Sequence, residues 1–254
     1  MVDCTRQVRT ARALKGALTW TLILALALAG CAPAVVQPPA PPPLPQQAPA
    51  GYLLPASVAD WYRQARQSGA PVLRIDPAQS LIVVTVRRGG PLARFGHDHV
   101  VASHAIGGLM APSLGRADFG FRLDQLTVDE APLRAEAKLD TQPSADAIAG
   151  TRSNMLGRVL EAERFPEVAL RVDGNADQSP AAVQLSVTLH GVTRTLPAQV
   201  QLSRDAGTLT ASGALTLKQS DFGIVPMSIM NGAMTVADAM ELRYTIVAVP
   251  DAGR

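Results

Sequence analysis

Cysteine is nearly absent: the 254 residues hold two, Cys4 and Cys31. Cys4 lies in a segment that reads as targeting sequence, so the remaining chain has one cysteine and no internal disulfide, even in an oxidising compartment. Excess charge of one sign is also missing. The net charge is +2, but Arg6, Arg9, Arg12 and Lys15 against Asp3 give +3 within the first thirty residues, leaving the rest near −1. No dense basic surface of the kind that displaces counterions from nucleic acid remains. There is no G-x-S-x-G nucleophile elbow and no C-x-x-C-H haem motif, and Asp221-Phe-Gly223 stands without the loops that make this tripeptide a kinase motif. A relay of His190 or His104 with Ser220 and Asp221 can be written down, but nothing in the spacing constrains it.

The apolar runs are short. Gly16–Leu28 is an apolar stretch of 13 residues behind a basic start, below the roughly 20 that a spanning helix needs. It ends in Leu28-Ala29-Gly30-Cys31, a lipobox. The expectation is a lipoprotein signal peptide over 1–30, with Cys31 carrying diacylglyceryl and becoming the mature N-terminus. Two acyl chains anchor firmly where one is marginal. Ala32 in place of aspartate favours an outer-membrane destination on the periplasmic side of the envelope. Residues 31–50 hold eight prolines after Cys31 and read as an extended tether reaching on the order of 50 Å at about 3.1 Å per residue.

Residues 51–69 contain a short amphipathic helix, Pro55–Ser68, with Ser57 able to cap it and Gly69 ending it. From residue 70 the periodicity becomes two. Strands are expected at Val72–Asp76, Leu81–Arg87, Val100–Ile106, Ala117–Leu123, Leu133–Leu139, Val168–Asp173, Val183–Leu189, Leu196–Ser203, Thr208–Leu217 and Met240–Ile246. Ser144–Glu163 reads as one or two short helices between strands. Many alternating strands with tight turns imply an antiparallel barrel or a sandwich. With aromatics at 4%, the inward faces are mainly Val, Leu, Ala, Phe and Met, so a hollow interior would favour an apolar guest.

Five stretches carry a resemblance to the YceI-like domain family. Leu73–Ser80 with Leu81–Val86 resembles its opening strands, and Phe95-Gly-His-Asp-His99 its early histidine segment. Met155–Pro166 with Glu167–Val172 is similar to its helix, "F-P" and strand. Leu185–Leu196 is similar to its hairpin, and Ser220–Ile224 to its late "x-D-F-G" turn. The likeness runs over about Val72–Val249 and sets the domain at 70–249, with 250–254 as a tail. It implies an extended, lipocalin-like antiparallel β-barrel with a short helical insertion, export, and an isoprenoid lipid or quinone as the bound molecule. Where family members commonly have Arg-Asp-x-His-Leu, this chain has Arg152-Ser-Asn-Met155-Leu156.

The ligand-binding candidates are Phe95, His97, His99, Phe119, Phe121, Arg152, Asn154, Leu156, Met227, Met230 and Met234. His97 and His99 share one face if extended, and three uses are open to them: a polar lip that meets a ligand head group, hydrogen bonds that fix the rim, or two ligands of a metal. His104 falls on the opposite face, so a third metal ligand is missing. Arg152 and Arg158 on the insert face either solvent or an anionic head group. Asp221 is expected to accept backbone N–H bonds in a turn with Gly223 at positive φ. Met227, Met230, Met234 and Met240 either fill core or line a flexible apolar mouth. No cofactor is required. The leading expectation is non-catalytic binding or carriage of an apolar lipid. The alternatives are a solid-cored interaction module and an enzyme acting on an envelope lipid or quinone.

Overall fold

The computed structural model describes residues 51–251. The signal peptide, Cys31 and the proline-rich tether lie outside the described residues. Within them the order is α1 (Ala56–Gln67), β1 (Leu73–Ile75), β2 (Leu81–Gly89), β3 (His99–Ser103), β4 (Gly107–Ala111), β5 (Arg116–Arg122), β6 (Thr127–Val128), α2 (Ala131–Glu136), α3 (Ala145–Asn154), β7 (Glu167–Asp173), β8 (Ala181–Leu189), β9 (Val192–Asp205), β10 (Thr208–Lys218), β11 (Ser228–Ile229) and β12 (Met234–Pro250).

Strand pairing closes a ring. The antiparallel path β1-β4-β5-β7-β8-β9-β10-β12 returns to β1, because Leu73–Ile75 pairs with Ala248–Pro250 on one side and with Leu109–Met110 on the other. The result is a closed eight-stranded barrel, which leaves no ring strand as a bare edge. From β12 a second arm, β2-β3-β6, continues the wall at the other end of the barrel. A register shift between Val236 and Met240 separates two stretches of β12–β2 pairing and bends that wall.

Alternation sets the two faces. In β8 the residues Ala181, Val183, Leu185, Val187 and Leu189 are buried inward, while their neighbours face outward. Phe119, Phe121 and Leu123 are buried in the same internal cluster, as their spacing predicts.

The helices cover outer faces. Tyr62 and Ala65 of α1 are buried against Val72 and Ala111, with Leu109 packed beside them. The Tyr62 hydroxyl donates to Asp118 Oδ2 at 2.9 Å, and Arg116 Nε donates to the same oxygen at 2.6 Å. The Arg116 guanidinium lies 4.1 Å from the centre of the Trp61 ring. α1 starts without a side-chain cap, behind Pro55 rather than Ser57. α3 is capped by Ser144 and runs on into a π-helical turn, Met155–Val159, so the insert is one interrupted helix.

Two expectations fail. Leu133–Leu139 is not a strand: Ala131–Glu136 is helical, with Pro132 in its first turn, where a missing N–H costs nothing. Leu133 packs on Val83, Val100 and Ala102, so α2 roofs the outer face of β2–β3. The tail is shorter than expected, since Pro250 is still paired with Leu73 and Asp251 forms an ion pair with Arg66. Three further strands, β4, β6 and β11, are too short to show a clear alternation in the sequence.

Candidate functional site

The barrel is hollow. A cavity of about 520 Å³ runs within it, in the size range of small-ligand sites. Its wall is supplied by the inward residues of nearly every strand: Val84 and Val101, Phe119 and Phe121, Leu185 and Val187, Leu215 and Leu217, Leu242 and Ile246. The alternation of the strands therefore makes both the core and the container.

Polar groups reach this space at few places. Tyr244 projects inward over Gly213, where an added Cβ would lie 2.5 Å from the Tyr244 hydroxyl. Burial pushes this phenol above its ordinary value. Ser103 also lines the cavity, with its hydroxyl buried and unpartnered. At the other end of β3 stand His97 and His99, whose ring centres are 6.2 Å apart.

The histidine end is held by a buried ion pair. His99 Nδ1 lies 2.5 Å from Asp129 Oδ2. Asp129 Oδ1 accepts from Arg134 Nη1 at 2.5 Å and from the Val100 N–H at 3.1 Å. Burial alone would raise the Asp129 carboxyl. The bond to His99, the Val100 N–H and Arg134 outweigh it and hold the group below the ordinary carboxylate value. Arg134 also donates to the Asp98 carbonyl at 2.8 Å. The Asp98 carboxylate accepts the Arg88 N–H at 2.8 Å, and Arg88 Nη1 reaches back to the Gly96 carbonyl at 2.9 Å. The residues on both sides of His97 are thus pinned, while its own Nδ1 is buried with no partner.

Of the candidates, Phe95, His97, His99, Phe119, Phe121, Asn154, Met227 and Met234 line the cavity, and so does Met240. Arg152 does not: its guanidinium is spent on the Asp124 and Leu126 carbonyls, which tie the insert to the loop before β6. Leu156 packs against the core cluster, and Met230 is 64% exposed outside the wall. Phe95 is 62% exposed while bordering the cavity, which puts it at the mouth. Asp129 and Arg134 were not foreseen. The signal was present in Asp129-Glu-Ala-Pro132, an acidic turn before a helix-starting proline, but the reading of a strand over 133–139 hid it.

The paper relay does not assemble. His104 Nε2 pairs with Glu130, His190 Nδ1 faces the Phe222 carbonyl, and the Ser220 hydroxyl donates to Asp238. Asp238 also accepts the Ser220 N–H, the role expected of Asp221, whereas Gly223 has φ of 71° as expected. Among the described residues no group of three or more His, Cys, Asp or Glu is placed to hold a metal, so His97 and His99 lack the further ligand.

Comparison with known families decides what this hollow barrel is: the YceI-like domain model matches residues 73–248. The chain belongs to the YceI-like domain family. One solved structure supports the fold, and a second is similar. A polyisoprenoid binding domain from Saccharophagus degradans, implicated in plant cell wall breakdown, is 11% identical with a TM-score of 0.51, covering 72% of this chain and 99% of its own. Burkholderia cenocepacia BcnA is 15% identical with a TM-score of 0.49, covering 69% and 99%. No curated protein matches the sequence. Within this YceI-like barrel the segment where Arg-Asp-x-His is common carries Asn154 and Met155 at the wall, and the histidines come from the β3 side instead.

Proposed function

We propose that this YceI-like protein is an envelope lipoprotein that holds an apolar lipid, an isoprenoid chain or isoprenoid quinone, inside its barrel without chemical change. The 520 Å³ aliphatic cavity carries the reading. Each 100 Å² of ligand surface taken from water there contributes about 2.5 kcal/mol, so a buried chain leaves readily only to another apolar phase. The polyisoprenoid binding named for the Saccharophagus degradans domain, which shares the fold, points the same way. Lipid on Cys31 and the proline-rich stretch after it would keep the barrel within reach of a bilayer, the source and acceptor of such a guest. Among the described residues no helix is long and apolar enough to cross a membrane.

The test is to purify the protein from its native envelope, extract it with organic solvent and weigh what is released. One prenyl lipid per chain is expected. Protein that is empty and takes up no added prenyl lipid defeats the proposal.

A further inference from the structure

Large apolar side chains that stay in water gather at one end of the molecule. Among the described residues six large hydrophobics are exposed, and four of them, Phe95, Val225, Ile229 and Met230, lie on two loops that meet. One loop follows β2, and the other runs from Gly223 through β11 to the start of β12. The Leu92 N–H donates to the Ala233 carbonyl at 2.8 Å, which joins them. Ile229 pairs with Met234, whose methyl lies 3.3 Å from where a Cβ on Gly96 would be. Phe95, Met227, Ile229 and Met234 also line the cavity, so this surface is the rim of its opening. The other two exposed residues, Leu53 and Leu114, stand apart, Leu114 in the turn between β4 and β5 at the far end of the barrel.

The backbone holds the tip of the second loop outward. Met230 and Asn231 have φ of 52° and 54°, a left-handed region that a methionine rarely adopts. Strained backbone of this kind persists where the surroundings impose it, and it clusters at functional surfaces. Charge separates the two ends as well. Residues 89–97 and 223–237 hold no Asp or Glu and a single Arg, Arg94, whose guanidinium lies 4.5 Å from the centre of the Phe95 ring. Asp98, at the margin of the first loop, faces Arg87 and Arg88, and Asp238, at the margin of the second, accepts from Ser220. Asp221, just before the second loop, is exposed. The far-end turns carry exposed carboxylates of their own, Asp177 and Asp205. An apolar rim without acids, with one arginine whose stem can lie along apolar surface, has the composition of a membrane interface.

The chain before Gly51 permits that contact at either end. Nineteen residues lie between Cys31 and Gly51 and can reach on the order of 50 Å when extended. The fourteen residues of β9 span roughly 45 Å at the rise of a strand. Anchoring therefore leaves the orientation open, and the apolar rim chooses it.

We propose that the Phe95 and Met230 loops dock on a lipid bilayer, with Phe95, Val225, Ile229 and Met230 entering below the head groups and Arg94 meeting their phosphates. This rests on the lipid-holding reading above for its purpose, since it sets the opening of the barrel against the phase that supplies the guest.

Acylation of Cys31 leaves the mature chain without a free thiol. Met230→Cys can then be labelled alone with an environment-sensitive fluorophore, with Leu114→Cys as the far-end control. Val225→Cys gives a second reading should the label disturb the hairpin tip. The lipoproteins are reconstituted in phosphatidylethanolamine and phosphatidylglycerol vesicles, with and without a nitroxide high on the acyl chains. Apolar faces at an interface lie about 5–10 Å deep, so the label at 230 is expected to lose at least about half of its fluorescence to the nitroxide, and the label at 114 almost none. Phe95→Ser should make that loss smaller. Equal quenching at the two ends, no quenching at 230 and 225, or a loss unchanged in Phe95→Ser overturns the docking. So does a label shielded from aqueous iodide yet untouched by the nitroxide, the sign of a second copy or another protein over the tip, and so does protein that fails to float with the vesicles. The fluorescence reads insertion whether or not the barrel holds a guest, so each of these failures leaves the carrier reading to its own extraction test.

Discussion

Tyr62 donates its hydroxyl hydrogen to Asp118 across 56 positions of sequence, and this bond fastens α1 to the outside of the barrel. Tyr62→Phe keeps the ring and removes the donor, leaving Asp118 to Arg116 alone. A hydrogen bond to a charged group is worth about 1.5–3 kcal/mol, and that loss is expected in denaturant unfolding at neutral pH. An unchanged midpoint would show that the strap is held by packing only.

The same residue sets an alkaline limit. Burial first, and then the Asp118 charge, push the Tyr62 phenol far above its ordinary value of 10.0, and Tyr52 and Tyr244 are raised as well. Their protonated forms are favoured in the folded state, so that contribution is complete below pH 10.0 and is lost as pH climbs above it. Unfolding free energy should fall above that pH, and less steeply in Tyr62→Phe.

Arg134→Met should be among the most damaging substitutions. It strands the Asp129 carboxylate inside the protein, and breaking a buried ion pair from one side costs about 3–5 kcal/mol. Adding Asp129→Asn removes the stranded charge and should recover part of the loss. Because Asp129 is held below its ordinary 3.8, its contribution is present above that pH and disappears as pH falls through the folded value. Acid titration of the wild type and the double variant checks the difference.

Ala211 lines the cavity from β10. Ala211→Phe places a ring in open space, so stability should change by less than about 1.5 kcal/mol, small for a core enlargement. Uptake of a prenyl lipid should weaken at least about tenfold, one factor of ten being about 1.4 kcal/mol. Full uptake by a stable variant would mean that the guest sits elsewhere.

Cys31→Ser removes the thiol on which attachment depends. The variant should leave the membrane fraction after a salt wash, as seen by fractionation. Retention there would refute the anchor.

Legibility in the sequence followed periodicity. The strands of the β8–β9 hairpin and β10 run over nine or more residues, and their existence is legible in the spacing alone. The Pro55–Ser68 helix was visible for the same reason. Short elements were not: β6 is two residues long, and α2 spans six whose pattern fits a strand nearly as well. The cavity wall was legible residue by residue, but its emptiness depends on how eight strands close, which no local pattern encodes. His97 and His99 were singled out by spacing, whereas Asp129 and Arg134 meet them through tertiary contact, from 30 and 35 positions along the chain from His99.

β12 is a strand of 17 residues that pairs with β10 on one side and with β2 and then β1 on the other. No earlier part of the wall can shut without it. While the polypeptide is being made, the aliphatic faces of β2, β8 and β10 therefore stay uncovered until positions near 250 have been added. Such late, long-range closure is slow and leaves greasy strands open to wrong partners in the interval. A chaperone that grips extended segments has a long window in which to act on this protein, and a substitution in its last strand should show first as poor yield.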